Sequence, residues 1–370
     1  MYSESDLEAA VAGGALTPEA AASFRNYVAA GQHSPAVDEE HFRLLTGFND
    51  VFVGIAAAIL LVAVGWIGHY LPPHIGVDGP SPFSGLFVAV TAWGLAEYFT
   101  RQRRMALPSI ILLLAFVGGV FFFGVFAIVT SIGEAFFNNN AQASALVIAS
   151  SAAIATAAAW LHWRRFRVPI TIAVGAAAAA ALTLGLVASA FITPQMTDEA
   201  GENLTTLLEG VALVLGLFTF LLAMRWDASD PKRETRRSDV AFWLHLLAAP
   251  LIVHPIFSLL GLTEGAASTL DAVAVVLLYV VLGLVALAID RRALLVSALA
   301  YVLFALNSLF ETYGVVELSV ALTALVIGSA LLLLSAFWTG ARRAVVSPLP
   351  DGLRGKLPVI DRARALPAAA

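Results

Sequence analysis

The feature that most constrains this chain is the alternation of long apolar runs with short clusters of arginine. A helix needs about 20 consecutive, mostly apolar residues to cross the roughly 30 Å hydrocarbon layer of a bilayer. Reading for runs of that size gives ten: Val51–Leu71, Ser84–Phe99, Leu107–Ile132, Ser144–Trp163, Val168–Ile192, Thr205–Met224, Asp239–Leu260, Thr269–Ile289, Ala293–Phe310 and Val316–Trp338. Basic residues collect in the cytoplasmic loops of membrane proteins. Here the clusters Arg101/Arg103/Arg104, Arg164/Arg165/Arg167, Arg225 to Arg237, Arg291/Arg292 and Arg342/Arg343 follow the even-numbered runs. The loops after odd-numbered runs carry no Lys or Arg, and hold acids such as Asp78, Glu134, Asp198 and Glu264 instead. A miscounted run would scramble this alternation. The expectation is an all-α membrane protein, a polytopic bundle of about ten transmembrane helices built from hairpins, with both termini cytoplasmic.

Composition agrees. Apolar residues make up 59% of the 370, and only 13% are charged, against roughly 25% charged in an ordinary soluble domain. That balance excludes a cytosolic enzyme and a typical nucleic-acid binder, and the absence of Cys excludes a disulfide scaffold and thiol chemistry. The first 46 residues contain no long apolar run, so the first span is expected to act as an uncleaved anchor. All basic residues except Lys232 and Lys356 are Arg, and Ala is abundant. This points to a GC-rich bacterial genome and hence to the inner membrane.

Three segments follow from the pattern: a cytoplasmic helical hairpin and linker over 1–46, the membrane domain over 47–340, and an irregular, proline-bearing tail over 341–370 near anionic headgroups. In the first, Gly13-Gly14 ends one helix, and Thr17-Pro18-Glu19 is a cap, first-turn proline and dipole-matched acid for the next. The hairpin reads either as a docking module for a protein partner or as a folded leader. Arg103-Arg104 ahead of Pro108, and Arg164-Arg165 ahead of Pro169, suggest a repeated out-and-back unit. Short-looped hairpins that keep their charges on one side would look the same.

The pattern Leu7-x-x-Ala10-Val11-x-x-Gly14-x-Leu16-Thr17-x-Glu19-x-Ala21 leads through Phe42-Arg-Leu-Leu-Thr-Gly-Phe48 to a first span that ends near Gly65-Trp66. It resembles a group of bacterial multi-pass membrane proteins of unknown function that carry an N-terminal cytoplasmic hairpin. The resemblance covers the first 70 residues and then only the multi-span layout. It implies an inner-membrane location and brings no catalytic residues.

Polar groups inside a span are costly, so each is a candidate site. The seventh run holds His245 and His254 on either side of Pro250. They lie nine positions apart, about half a turn out of phase, so they do not form a chelating pair. The ninth run carries Ser297, Tyr301, Phe304, Ser308 and Glu311 on one helical face, with Asn307 beside it. A candidate polar pathway therefore comprises His254, His245, Asn307, Ser308, Glu311 and Tyr301. Glu97 is placed to pair with Arg101 one turn on. Glu209 and Asp271 are read as carboxylates near helix N-termini. His69, His74 and Asp78 flank the first outer loop without metal-site spacing. No His-Glu-x-x-His, Gly-x-Ser-x-Gly, P-loop or dinucleotide fingerprint occurs. No catalytic residue, metal or cofactor is therefore expected, and no nucleic-acid partner. Two functions stay open. One is a small-solute or ion transporter with a polar cavity joining the seventh and ninth spans. The other is a non-transporting sensor, scaffold or assembly protein acting through the N-terminal hairpin.

Overall fold

The computed structural model describes residues 4–32, 48–138, 140–193, 195–231, 233, 235–261, 269–292, 295–299, 302–303, 306, 319–355 and 357–358. Every regular element among them is helical. After α1 (Glu4–Ala12) and α2 (Pro18–Gln32) come α3 (Phe48–His69), α4 (Pro82–Ala96), α5 (Ala106–Ile132), the short α6 (Glu134–Asn138), α7 (Ala141–Phe166), α8 (Ile170–Phe191), α9 (Asp198–Ala228), α10 (Arg236–Leu259) and α11 (Thr269–Ile289). The chain then forms α12 (Ser319–Ala336), α13 (Trp338–Val346) and α14 (Asp351–Arg354).

Six of these, α3, α5, α7, α8, α9 and α10, are long and apolar enough to cross a membrane. A seventh crossing is available if α12 and α13, which meet at a 75° bend, count as one broken span. The second expected run corresponds to α4, only 15 residues long and continued by a π-helical turn over Glu97–Gln102. The eighth corresponds to α11, a helix of 21 residues whose described apolar stretch is Val273–Ile289. Most of the ninth lies outside the described residues.

Local chemistry sets the ends. Ser81 Oγ accepts from the Phe83 amide, with Pro82 at the first helical position of α4. Asn140 caps α7, and Thr197 caps α9 through the Ala200 amide. Thr197 starts α9 well ahead of its apolar run. Glu209 therefore sits inside that helix and not near its N-terminus, and the dipole argument made for it does not apply. In the N-terminal pair, Gly14 takes φ +73° between α1 and α2, and Thr17 Oγ1 accepts from the Ala20 amide at 3.1 Å. Leu7 and Ala21 are buried.

The helices pack as two groups. Ala92, Leu112, Leu113 and Ala159 form the core of the first, with Trp93 packed on Phe116 (4.9 Å) and Phe166 (5.0 Å). The second is built round α10, whose Leu244, Ala248, Ala249 and Phe257 are fully enclosed. Since lipid is as apolar as leucine, close backbone approach does much of the holding. A Cβ on Gly119 would stand 2.7 Å from Gly85 O, and one on Gly216 would stand 2.7 Å from Leu251 O. By contrast Phe52, Ile59 and Val62 of α3 are 65%, 66% and 71% exposed, an apolar face suited to hydrocarbon. Gly119→Val is expected to wedge α4 from α5 and to cost about 1–3 kcal/mol, read as a lowered thermal midpoint of the detergent-solubilised protein. An unchanged midpoint would contradict the packing described.

Candidate functional site

The arginine clusters converge on one end of the helices, where they are handled in two ways. The first is full compensation. Asp227, at the end of α9, is 1% exposed. Arg291 donates from Nη2 to its Oδ1 at 2.6 Å and from Nε to its Oδ2 at 3.3 Å. His245 of α10 donates from Nε2 to Oδ2 at 3.0 Å, since a carboxylate facing a cation can only accept. Arg291 Nη2 also reaches the Ser238 carbonyl at 3.2 Å. The neighbouring Asp290 accepts from Arg233 Nη1 (2.9 Å) and Trp338 Nε1 (2.8 Å), and Arg342 lies 3.7 Å from its Oδ1. One linked set of ion pairs thus ties α9, α10, α11 and α13 together. Its charges answer one another, although Arg233 Nε, His245 Nδ1 and Arg342 Nε make no hydrogen bond, and it acts as a clasp.

The second is collection around open space. A cavity of about 720 Å³ opens at the same end, within the size range of small-molecule sites. Its wall carries six arginines from three turns: Arg101, Arg104, Arg165, Arg167, Arg233 and Arg236. Glu97 holds two of these, by a two-pronged contact with Arg165 (2.7 and 2.8 Å) and a longer one with Arg101 (3.3 Å). Arg233 is held by Asp290. Arg104, Arg167 and Arg236 have no ion pair among the described residues. Helices α5, α8 and α10 all begin at this wall, which includes Ala106, Ile170 and Arg236. Neither α5 nor α8 has a side-chain cap. The Thr171 and Ile172 amides of α8 bond back to the Val168 and Pro169 carbonyls (3.0 and 3.3 Å), so what these helix starts bring to the wall is mainly the positive end of their dipoles. Thr100 also lines the space; it is 8% exposed and its Oγ1 has no hydrogen-bond partner. Acids are few, namely Asp239 and, from α1 of the N-terminal pair, Glu8.

Of the six pathway residues singled out from sequence, His245 and His254 are described, and they lie apart. His245 belongs to the clasp. His254, nine positions on, is 57% exposed and lies 3.4 Å from Glu209 at the opposite end. Tyr301, Asn307, Ser308 and Glu311 lie outside the described residues. Glu97 does pair with Arg101, but its shorter contacts are with Arg165, far off in sequence. His74 Nε2 donates to the His69 carbonyl at 2.9 Å, and among the described residues no three His, Asp or Glu side chains group as metal ligands. Sequence reasoning passed over Asp227 and Asp290; Asp290 stands directly before Arg291-Arg292, which was an available signal, whereas Asp227 shares its turn with Asp230, Glu234 and Asp239. It also missed Thr100, for which no sequence signal existed.

Removing one member of a buried, charged set strands its partner and costs about 3–5 kcal/mol. Asp227→Ala should therefore lower stability by that order, read by thermal unfolding in detergent, and Glu97→Ala, whose partners are exposed, by far less. Equal effects would contradict the distinction. Compared with protein-family models, with curated proteins and with solved structures, the chain matches none of them.

Proposed function

We propose that this is an integral protein of the bacterial inner membrane, crossing it ten times with both termini in the cytoplasm, and that it binds a small anionic solute from the cytoplasmic side without transporting it. The observation that carries this reading is the arginine-lined cavity, because Glu8 of the N-terminal pair is part of the same wall. Binding there competes with the position of α1, so the hairpin reports occupancy to a protein partner. Close backbone contact within the α4–α5 and α9–α10 pairs leaves little room for a path inside either hairpin.

Solute or ion transport is the second reading. It is favoured by one observation: Asp227, at the end of α9, and His245, more than two turns inside α10, form a buried pair of titratable groups, of the kind that proton-coupled carriers use.

The native chain has no Cys, so Ala12→Cys places a single environment-sensitive dye on α1. Proteoliposomes carrying it are titrated with citrate, orthophosphate and ATP while uptake of each is followed. The reading predicts a saturable change in dye emission with at least one anion and uptake no greater than in protein-free vesicles. Protein-dependent accumulation of an anion, or an emission unchanged by all three, would overturn it.

A further inference from the structure

We infer that the cavity takes a phosphate ester, held by Arg104, Arg167 and Arg236 beside the positive ends of α5 and α8. The inference rests on the anion-binding reading above and names the ligand class for that same site.

Four observations converge on phosphate. First, the cations come from three separate turns and surround a volume of about 720 Å³. A carboxylate offers two oxygens in one plane. A phosphoryl group offers three acceptor oxygens in a tetrahedral fan, which several guanidinium forks can share. Second, α5 and α8 both start at this wall and bring the positive ends of their dipoles to it, which favours an anion. Third, the buried Thr100 hydroxyl lines the space with its Oγ1 unpartnered. A buried hydroxyl without a partner is destabilising unless something polar meets it. Fourth, Phe166 and Trp243 lie on the same wall and give the organic part of an ester an apolar surface. The space is too large for an inorganic ion alone.

The backbone adds an argument about why arginine stands where it does. Arg104, Arg167 and Arg233 each have φ of 54°, in the left-handed region. An L-residue there costs roughly 1–2 kcal/mol, whereas glycine is at ease. Glycine would end α7 at position 167 more cheaply. Arginine there is retained for its side chain, and the side chains of Arg104 and Arg167 have no ion pair among the described residues.

This makes structural and binding roles separable. In Arg104→Gly/Arg167→Gly the fold should be as stable as the parent or more so, while the ligand loses two charge-assisted contacts. Each such contact is worth about tenfold in affinity, so a loss of about a hundredfold is expected. The full chain is placed in nanodiscs of neutral phosphatidylcholine and titrated calorimetrically with ATP, a nucleoside polyphosphate, and with citrate. A parallel set contains phosphatidylglycerol, and retained lipid is counted by native mass spectrometry. ATP binding in the neutral discs that falls about a hundredfold in the double variant supports a soluble phosphate ester. Retained phosphatidylglycerol lost in that variant supports the same chemistry supplied by a lipid headgroup. Thr100→Val, which keeps every charge, should weaken whichever ligand binds by about tenfold. Arg164→Gln, whose guanidinium lies over the Trp160 ring (5.1 Å) and away from the cavity, should change affinity less than twofold. If neither ATP nor phosphatidylglycerol binds, or if the double variant binds as the parent does, the inference is overturned. Citrate bound more tightly than ATP would also overturn it while leaving the anion-binding reading intact.

Discussion

A guanidinium group stays charged at any physiological pH and cannot be left in hydrocarbon without a partner. The rest of this structure depends on that constraint. It places the turns after α4, α8's predecessor α7, α9 and α11 at one end of the helices, because those turns carry the arginines. With the ends fixed, each apolar run between them has only one way to lie, and a short polar cap or a left-handed residue is enough to reverse the chain.

The same charges then divide by neighbourhood. Where α9, α10, α11 and α13 meet, Asp227 and Asp290 sit among Arg291, Arg233 and Arg342, and every charge is answered. Desolvating such groups is costly, and the set holds only because its geometry satisfies most of its donors. The turns after α4 and α7 carry no buried acid of this kind. Their single carboxylate, Glu97, answers Arg101 and Arg165, and the positive charge left over faces a cavity. One half of the molecule is thus closed by ion pairs, and the other keeps an excess of cation at the mouth of an open volume. The N-terminal pair adds to that second half, since Glu8 is one of only two acids on its wall.

How much of this could be read from residues varies by physical cause. Helix positions were legible, because twenty-odd apolar residues between polar signals leave few alternatives. The expected runs Leu107–Ile132 and Val168–Ile192 differ from α5 and α8 by a residue or two at their ends. Span number was less so. α4 is apolar but short, and α12 breaks against α13, features that come from packing and from bends that hydropathy does not encode. The location of polar candidates was partly legible: His245 and His254 do point apart, as nine positions on a helix require. Their partners were not, because Asp227 and Arg291 meet only through the tertiary arrangement. The cavity was illegible in the same sense. The arginines were counted and assigned to one side, but three turns far apart in sequence had to be brought together before their charges could act on one ligand.

The proposed topology puts every arginine-bearing turn on the cytoplasmic side, with those after α4, α7 and α9 around one accessible space. The native chain's lack of Cys makes this directly measurable with single substitutions and a membrane-impermeant maleimide. Gln102→Cys, Ser229→Cys and Arg343→Cys should react in inside-out vesicles and stay unlabelled in intact cells, while Ser131→Cys and Asp198→Cys should do the reverse. Labelling of any of the first three from outside the cell would contradict the account.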